Sequence, residues 1–248
     1  MAYLLGLDPS LQKAGYVVLD SDEPDNVVKE KGLLKTRPLD GILVQRLIKQ
    51  AGQVDSLIKK YDITFIGMEA PFFGAGSTEI LYALNQFLHR VFLDNGNYVV
   101  AFPPQMLKKL VFPDISIEGV GKPHMIDRAK TALGLHGHRL AEDVADAYWA
   151  GYFGKRYYKW LLEKSLNESE LGEYERNTFC GKHTYKRGAR KGLTELTGIK
   201  YRENELFFDF KAIKRRTENA SGKKESNKKG LGKSSRTKRK KEDRSRKE

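Results

Sequence analysis

Tyr3-Leu4-Leu5-Gly6-Leu7-Asp8-Pro9 is a short, continuous apolar run that stops at a carboxylate and a proline. Its length and the turn residues behind it read as a buried strand. Tyr16-Val17-Val18-Leu19 follows across a break at Gly15, so two adjacent strands joined by a turn fit this opening. After a turn-rich stretch from Asp20 to Asn26, a third strand is predicted over Val27 to Leu34. Leu43, Leu47, Ala51, Val54, Leu57 and Ile58 then recur at helical spacing as far as Tyr61. Ile63 to Met68 reads as another buried strand, ending at Glu69 with Pro71 close behind to limit the ladder. A helix from about Ser77 to Leu93, a strand over Tyr98 to Phe102 stopped by Pro103-Pro104, and helices near 105–111, 123–134 and 140–160 complete the order. Strands followed by alternating helices predict an α/β fold: a mixed five-stranded sheet whose first three strands form an antiparallel meander, with helices on both faces.

Composition sets the bounds around that core. The chain has 248 residues, 40% of them apolar and 31% charged, with a mean hydropathy of −0.58, so a folded body carries strongly polar length in addition. The single cysteine, Cys180, excludes an intramolecular disulfide. The start MAYLLGLDPSLQ has no basic stretch leading into an apolar signal region, and no apolar run approaches the roughly 20 residues that span a bilayer. No membrane association is expected; an intracellular protein is, cytoplasmic if bacterial or phage and otherwise nuclear or organellar.

Charge divides the chain. Residues 1–154 carry a net −2, residues 155–216 a net +7 and residues 217–248 a net +8. An acidic body with a basic extension suggests chemistry in front and polyanion attachment behind, and nucleic acid is the natural polyanion. From Thr217 onward Leu231 is the only large apolar residue, too little to offset the entropy of ordering, and a disordered basic tail is predicted. The expected organisation is a body over residues 1–160, a basic extension over 161–216 that is small or partly ordered, and the tail over 217–248.

The acids carry the chemistry. Asp8 and Glu69 each close a run that wants burial, and a carboxylate at such a place needs a partner or a metal. In open α/β sheets ligands bind at the carboxyl ends of strands, where these two fall. A third group lies in Leu140-Ala-Glu-Asp-Val-Ala-Asp-Ala-Tyr-Trp-Ala150, where Asp143 and Asp146 share a helix face at i, i+3 and Glu142 and Asp146 at i, i+4. Like charges so spaced repel, and a divalent cation removes the penalty. Carboxylates from two strand ends and one helix are what two Mg²⁺ ions about 4 Å apart require for phosphodiester hydrolysis, and hard oxygen ligands suit Mg²⁺ or Mn²⁺ rather than zinc.

Gly6-Leu-Asp-Pro-Ser10 with Gly15-Tyr-Val-Val18, Ile66-Gly-Met-Glu-Ala-Pro-Phe-Phe73 and Glu142-Asp-Val-Ala-Asp-Ala147 together resemble the three acidic motifs of the RuvC-type Holliday junction resolvases, members of the RNase H-like superfamily. The likeness spans roughly residues 1–160, with the motifs in order. It implies an RNase H-like sheet and makes Asp8, Glu69, Asp143 and Asp146 metal ligands and catalytic residues, with Glu142 competing with Asp143 for the third place. It also implies that Lys108 or its neighbour Lys109, and Lys122 at the end of Gly119-Val-Gly-Lys122, approach the phosphates. Phe72 and Phe73 sit where the family places an aromatic residue that inserts at the branch point, and the helix after them would serve a homodimer. The implied activity is Mg²⁺-dependent cleavage of four-way DNA junctions, with RNA–DNA hybrids, flaps or other branched DNA as alternative substrates and non-catalytic junction binding as the alternative role. Tyr148 stands where some members carry a histidine, and about 95 residues follow the point at which a bare catalytic module ends. Cys180 and His183 are spaced like half a zinc site without a second half, and the chain has no Walker lysine motif.

Overall fold

A computed structural model describes residues 2–70, 78–179, 182–184 and 194–196. Phe72, Phe73, Cys180, the segment 203–210 and the tail 217–248 lie outside the described residues. Strands β1 (Tyr3–Asp8), β2 (Lys13–Asp20), β3 (Val28–Lys35), β4 (Ile63–Glu69) and β5 (Tyr98–Phe102) form one sheet in the order β3-β2-β1-β4-β5. β1 pairs antiparallel with β2, and β2 with β3, so the meander predicted from the sequence is present; β4 lies parallel to β1 and β5 parallel to β4.

Two helix layers cover the sheet. α1 (Leu43–Tyr61) and α2 (Thr78–Asp94) pack on one face, where Leu5, Leu7, Val18, Ile66 and Met68 meet Leu47, Val54, Leu84, Leu88 and Phe92. α5 (Glu142–Tyr158) lies on the other face with α3 (Pro104–Val111) and α4 (Lys122–Ala132), against Leu4, Val17, Leu19, Phe65 and Val100. Both faces being covered explains why β1 and β4 read as unbroken apolar runs instead of alternating ones. α1 ends at Asp62, whose left-handed φ of 50° lets its N–H reach the Ile58 carbonyl and turns the chain directly into β4.

The two layers pack differently. α1 and α2 stand off the sheet on large side chains, whereas α5 lies almost on the backbone. A Cβ on Gly15 would fall 1.8 Å from the Asp143 carbonyl oxygen, and one on Gly6 would fall 2.1 Å from that of Ala147. No side chain fits at either place, so β2 and β1 carry glycine where the helix crosses them.

Past Lys164, where the sequence pattern weakens, the chain still packs on the body. α6 (Glu173–Phe179) is anchored by Arg156, whose Nε and Nη2 donate to the two Glu175 carboxylate oxygens, the latter at 2.9 Å. Phe179 stacks on Trp160 at a centroid distance of 6.1 Å and meets Tyr157 edge-on at 5.1 Å. Lys182–Thr184 (β6), in the Gly- and Arg-rich stretch from Gly181 to Gly192 that reads as a loop, pairs antiparallel with Thr194–Leu196 (β7) just beyond it. Three residues are too few for alternation to reveal a strand.

Candidate active site

Strand parity decides where the first two acids point. Leu4 and Phe65 face the α5 layer, and in strands of period two Gly6 and Asp8, like Gly67 and Glu69, face the same way. Gly6 pairs with Gly67 and Leu7 with Met68, so Asp8 and Glu69 are the next residues along adjacent parallel strands, about 5 Å apart at the backbone. The same close packing brings the helix acids to them: Asp143 rests on Gly15, itself the ladder partner of Asp8, and Asp146 is one turn further along α5. A register slip of one residue would turn both strand acids to the α1 side.

The electrostatics mark the four as one cluster. Burial, then Glu69, Asp146, Asp143 and Glu142, hold the Asp8 carboxyl well above its ordinary range. Glu69 is pushed up to about 8 by burial and by Asp146, against the opposing pull of Lys108 and Lys122. Asp146 is pushed up to about 6 by burial and by Glu142, and Asp143 is raised by burial and Glu142 and lowered by Lys13 and Lys122. For Asp8, Glu69 and Asp146 the leading forces are desolvation and neighbouring charge, with no hydrogen bond among them. All four remain partly open to solvent at the strand ends.

Acids that repel each other in a desolvated mouth have the chemistry of a hard-cation site, since a divalent ion adds an attraction that outweighs the repulsion raising them. Among the described residues, however, no three His, Cys, Asp or Glu side chains are drawn together closely enough to ligate one ion. A fifth acid beside these four, Glu142, is engaged elsewhere. The Glu142 carboxylate accepts from Lys122 Nζ, whereas Asp143 has no such ion pair among the described residues.

The lysines separate in the same way. Lys122 is the first residue of α4, and its pairing with Glu142 brings its ammonium toward Asp143, Asp146 and Glu69. A cation in the first turn works against the helix dipole, so its place is not a device for helix stability. Lys108, on α3, acts on Glu69 and Asp146. Lys109 turns away: its Nζ donates to the Pro113 and Ile115 carbonyls and lies 5.9 Å from the Tyr174 ring centre. Tyr148 is core, buried at 1% exposure with its hydroxyl donating to the Asp25 carbonyl at 3.3 Å.

Two cations near the acids carry no signal in the sequence. Lys13 reaches Asp143 only because β2 folds back beside β1. Arg46 on α1 lines a depression of about 680 Å³ together with Asp8, Ser10, Gln12, Glu69 and Asn85. A larger depression, about 750 Å³, lies between α5 and α6 and contains none of the acids.

No protein-family model matches the chain. Curated sequences are similar to it: the crossover junction endodeoxyribonuclease RuvC of Prochlorococcus marinus (strain MIT 9303) is 26% identical over 152 residues, covering 58% of this chain and 92% of that protein. RuvC of Wolinella succinogenes is 28% identical over 152 residues, covering 58% and 88%. Among solved structures, Thermus thermophilus RuvC superposes with a TM-score of 0.52 at 16% identity, over 60% of this chain and 91% of that one. T. thermophilus RuvC in complex with Holliday junction substrate gives 0.51 at 15% identity, over 61% and 91%. Those coverages leave about two-fifths of the chain outside the matched part of these proteins. The chain is therefore similar in sequence to RuvC proteins over 58% of its length and shares the fold of T. thermophilus RuvC over about the same share.

Proposed function

We propose that the chain is a structure-selective endonuclease that resolves four-way DNA junctions by divalent-metal-dependent phosphodiester hydrolysis. The observation that carries this reading is the convergence of Asp8, Glu69, Asp143 and Asp146 from two strand ends and one helix into a single mouth flanked by Lys108 and Lys122. Asp143 is the better third ligand, because Lys122 already occupies Glu142. Mg²⁺, or Mn²⁺ in its place, bound by these carboxylates would acidify the attacking water and neutralise charge on the leaving oxygen.

The chain's own groups do the rest. Water adds to the scissile phosphorus, the bond from phosphorus to the 3′ oxygen breaks, and a 5′ phosphate and a 3′ hydroxyl remain. Lys122 and Lys108 face the charge that develops on the phosphate, in a mouth where desolvation strengthens each contact. Phe72 and Phe73 stand just past Glu69 in sequence, after Ala70-Pro71, and are assigned to base stacking at the branch point, worth about 1–3 kcal/mol per base.

A four-way junction offers two symmetric strands, which a twofold pair of sites can cut, and we assign a homodimer on that ground. Leu84, Leu88 and Phe92 of α2 are taken up by the protein's own core, while Ile80 and Leu93 of α2 and Val44 and Ile48 of α1 stay exposed. Removal of residues 217–248, with their net charge of +8, is expected to lower DNA affinity and flatten its salt dependence while the hydrolytic step persists.

The test compares wild type with Asp8→Asn on matched four-way junction, flap and RNA–DNA hybrid substrates, with and without Mg²⁺. Wild type should cut the junction only with the metal. The variant should bind it and cut on the order of 10²–10³-fold more slowly. Preferential cutting of hybrids would overturn the junction assignment, and binding with no cutting by wild type would overturn the catalytic one.

A further inference from the structure

Arg46 stands beside the acids, and among the described residues neither an ion pair nor a hydrogen bond accounts for its Nε and Nη2. Its Nε and Nη2 are shut off from solvent and have no hydrogen-bond partner. A guanidinium in that state pays for desolvation without the compensating acceptors that normally accompany it. It is also in the first turn of α1, where the exposed N–H groups already make the helix end positive, so the position is unfavourable to the helix too. The depression it lines supplies the neutral polar groups of Ser10, Gln12 and Asn85 and opens onto Asp8 and Glu69. Yet Arg46 is not among the leading influences on either acid, so its charge is not spent on them.

An unspent guanidinium calls for a planar or tetrahedral oxyanion that arrives with the ligand, and a DNA phosphate is such a group. We propose that Arg46 binds a backbone phosphate of the strand that passes the acid mouth, on the side of the sheet opposite Lys108 and Lys122. This rests on the nuclease reading. DNA crossing the strand ends then meets lysines on the α3–α4 side, the acids and their metal in the middle, and Arg46 on the α1–α2 side. Arg46 acts as a positioning residue: it fixes where the strand lies relative to the acids and touches no reacting atom. The exposed Val44 and Ile48 are two residues to either side of it, roughly 160–200° around the helix, so an apolar pairing of two copies there leaves its flank free.

The experiment uses the full chain with a labelled four-way junction in EDTA, and measures affinity against salt, melting temperature without DNA, and mass in solution. For Arg46→Met, affinity should fall about 3- to 10-fold and the slope of log K against log salt should become shallower by about 1, as for the loss of one phosphate contact. Arg46→Lys should keep the slope. The melting temperature of Arg46→Met should equal or exceed that of wild type, because the variant removes an unpaired buried charge. Unchanged affinity and slope in a wild type that does bind would overturn the assignment of Arg46 alone. So would a lower melting temperature or an altered mass with an unchanged slope, which mean a structural or subunit role. A wild type that binds no junction DNA would overturn the nuclease reading and this inference together.

Discussion

Glu30 and Glu69 are glutamates on strands of the same sheet, and their surroundings drive them in opposite directions. Glu30, on β3, accepts hydrogen bonds from Tyr16 at 2.6 Å, from Lys60 at 2.6 Å and from Tyr61, and these donors hold its carboxyl down at about 2. Glu69, at the end of β4, has burial and another carboxylate as its strongest influences and stands at about 8. A structural carboxylate is one whose charge the fold has answered from within. A carboxylate left with its charge unanswered in a desolvated mouth is held in readiness for a ligand, at a cost to stability.

The largest effect that would sharpen this contrast is on chemistry. Glu69→Gln should slow junction cleavage on the order of 10²–10³-fold, while Glu30→Gln leaves the rate within a factor of about 2; equal losses in a cleavage assay would erase the distinction. Next is the packing that seats the helix acids. Gly15→Ala puts a methyl group 1.8 Å from the Asp143 carbonyl, a backbone atom that cannot step aside. A loss of about 3 kcal/mol or more by denaturant titration is expected, with loss of cleavage, since overpacking against backbone exceeds the ordinary penalty. A wild-type melting profile would mean that α5 does not lie on β2 in this way.

The third prediction concerns pH, and the two glutamates give opposite signs. Glu69 is raised in the folded state, so its stabilising contribution is complete below its unfolded value near 4.5 and is lost as pH rises through about 8. Glu30 is depressed, so its contribution is present above about 4.5 and is lost as pH falls through about 2. In EDTA, the melting temperature of Glu69→Gln should therefore draw ahead of wild type as pH rises from about 5 to 9. Glu30→Gln should trail wild type near neutrality and converge with it only toward about pH 2. Mg²⁺ should raise the wild-type melting temperature most at the alkaline end, where the acids are ionised, and Glu69→Gln should lose much of that gain. The smallest effect is Tyr16→Phe, which removes one donor from Glu30: about 1 kcal/mol by denaturant titration, an upward shift in the Glu30 carboxyl, and no change in cleavage.

Much of this was legible in the residues. The seven major elements from Tyr3 to Phe102 stand within a few residues of where periodicity and turn residues put them, because each is long enough to show its period and is bounded by glycine, proline or acidic turns. The strand-end acids and the helix pair were legible for a related reason: a carboxylate at the close of an apolar run is anomalous on its face. α6 and the β6–β7 pair were not, since seven- and three-residue elements in a mixed polar stretch show no period. The difference between Lys108 and Lys109 was equally hidden, because two adjacent lysines on a short helix look alike until Pro113 and Ile115 present carbonyls to one of them.

By itself, the amino-acid order determined the succession of strands and helices, the division between an acidic body and a basic extension, and the short roster of acids. These are properties of local period and local charge, which a linear chain carries openly. Only tertiary structure decided that Glu69 is unanswered while Glu30 is not, that Glu142 is paired with Lys122, and that Lys13 and Arg46 stand beside the acids at all. The charge state of a group depends on what surrounds it in space, and its neighbours here come from strands and helices tens of residues away.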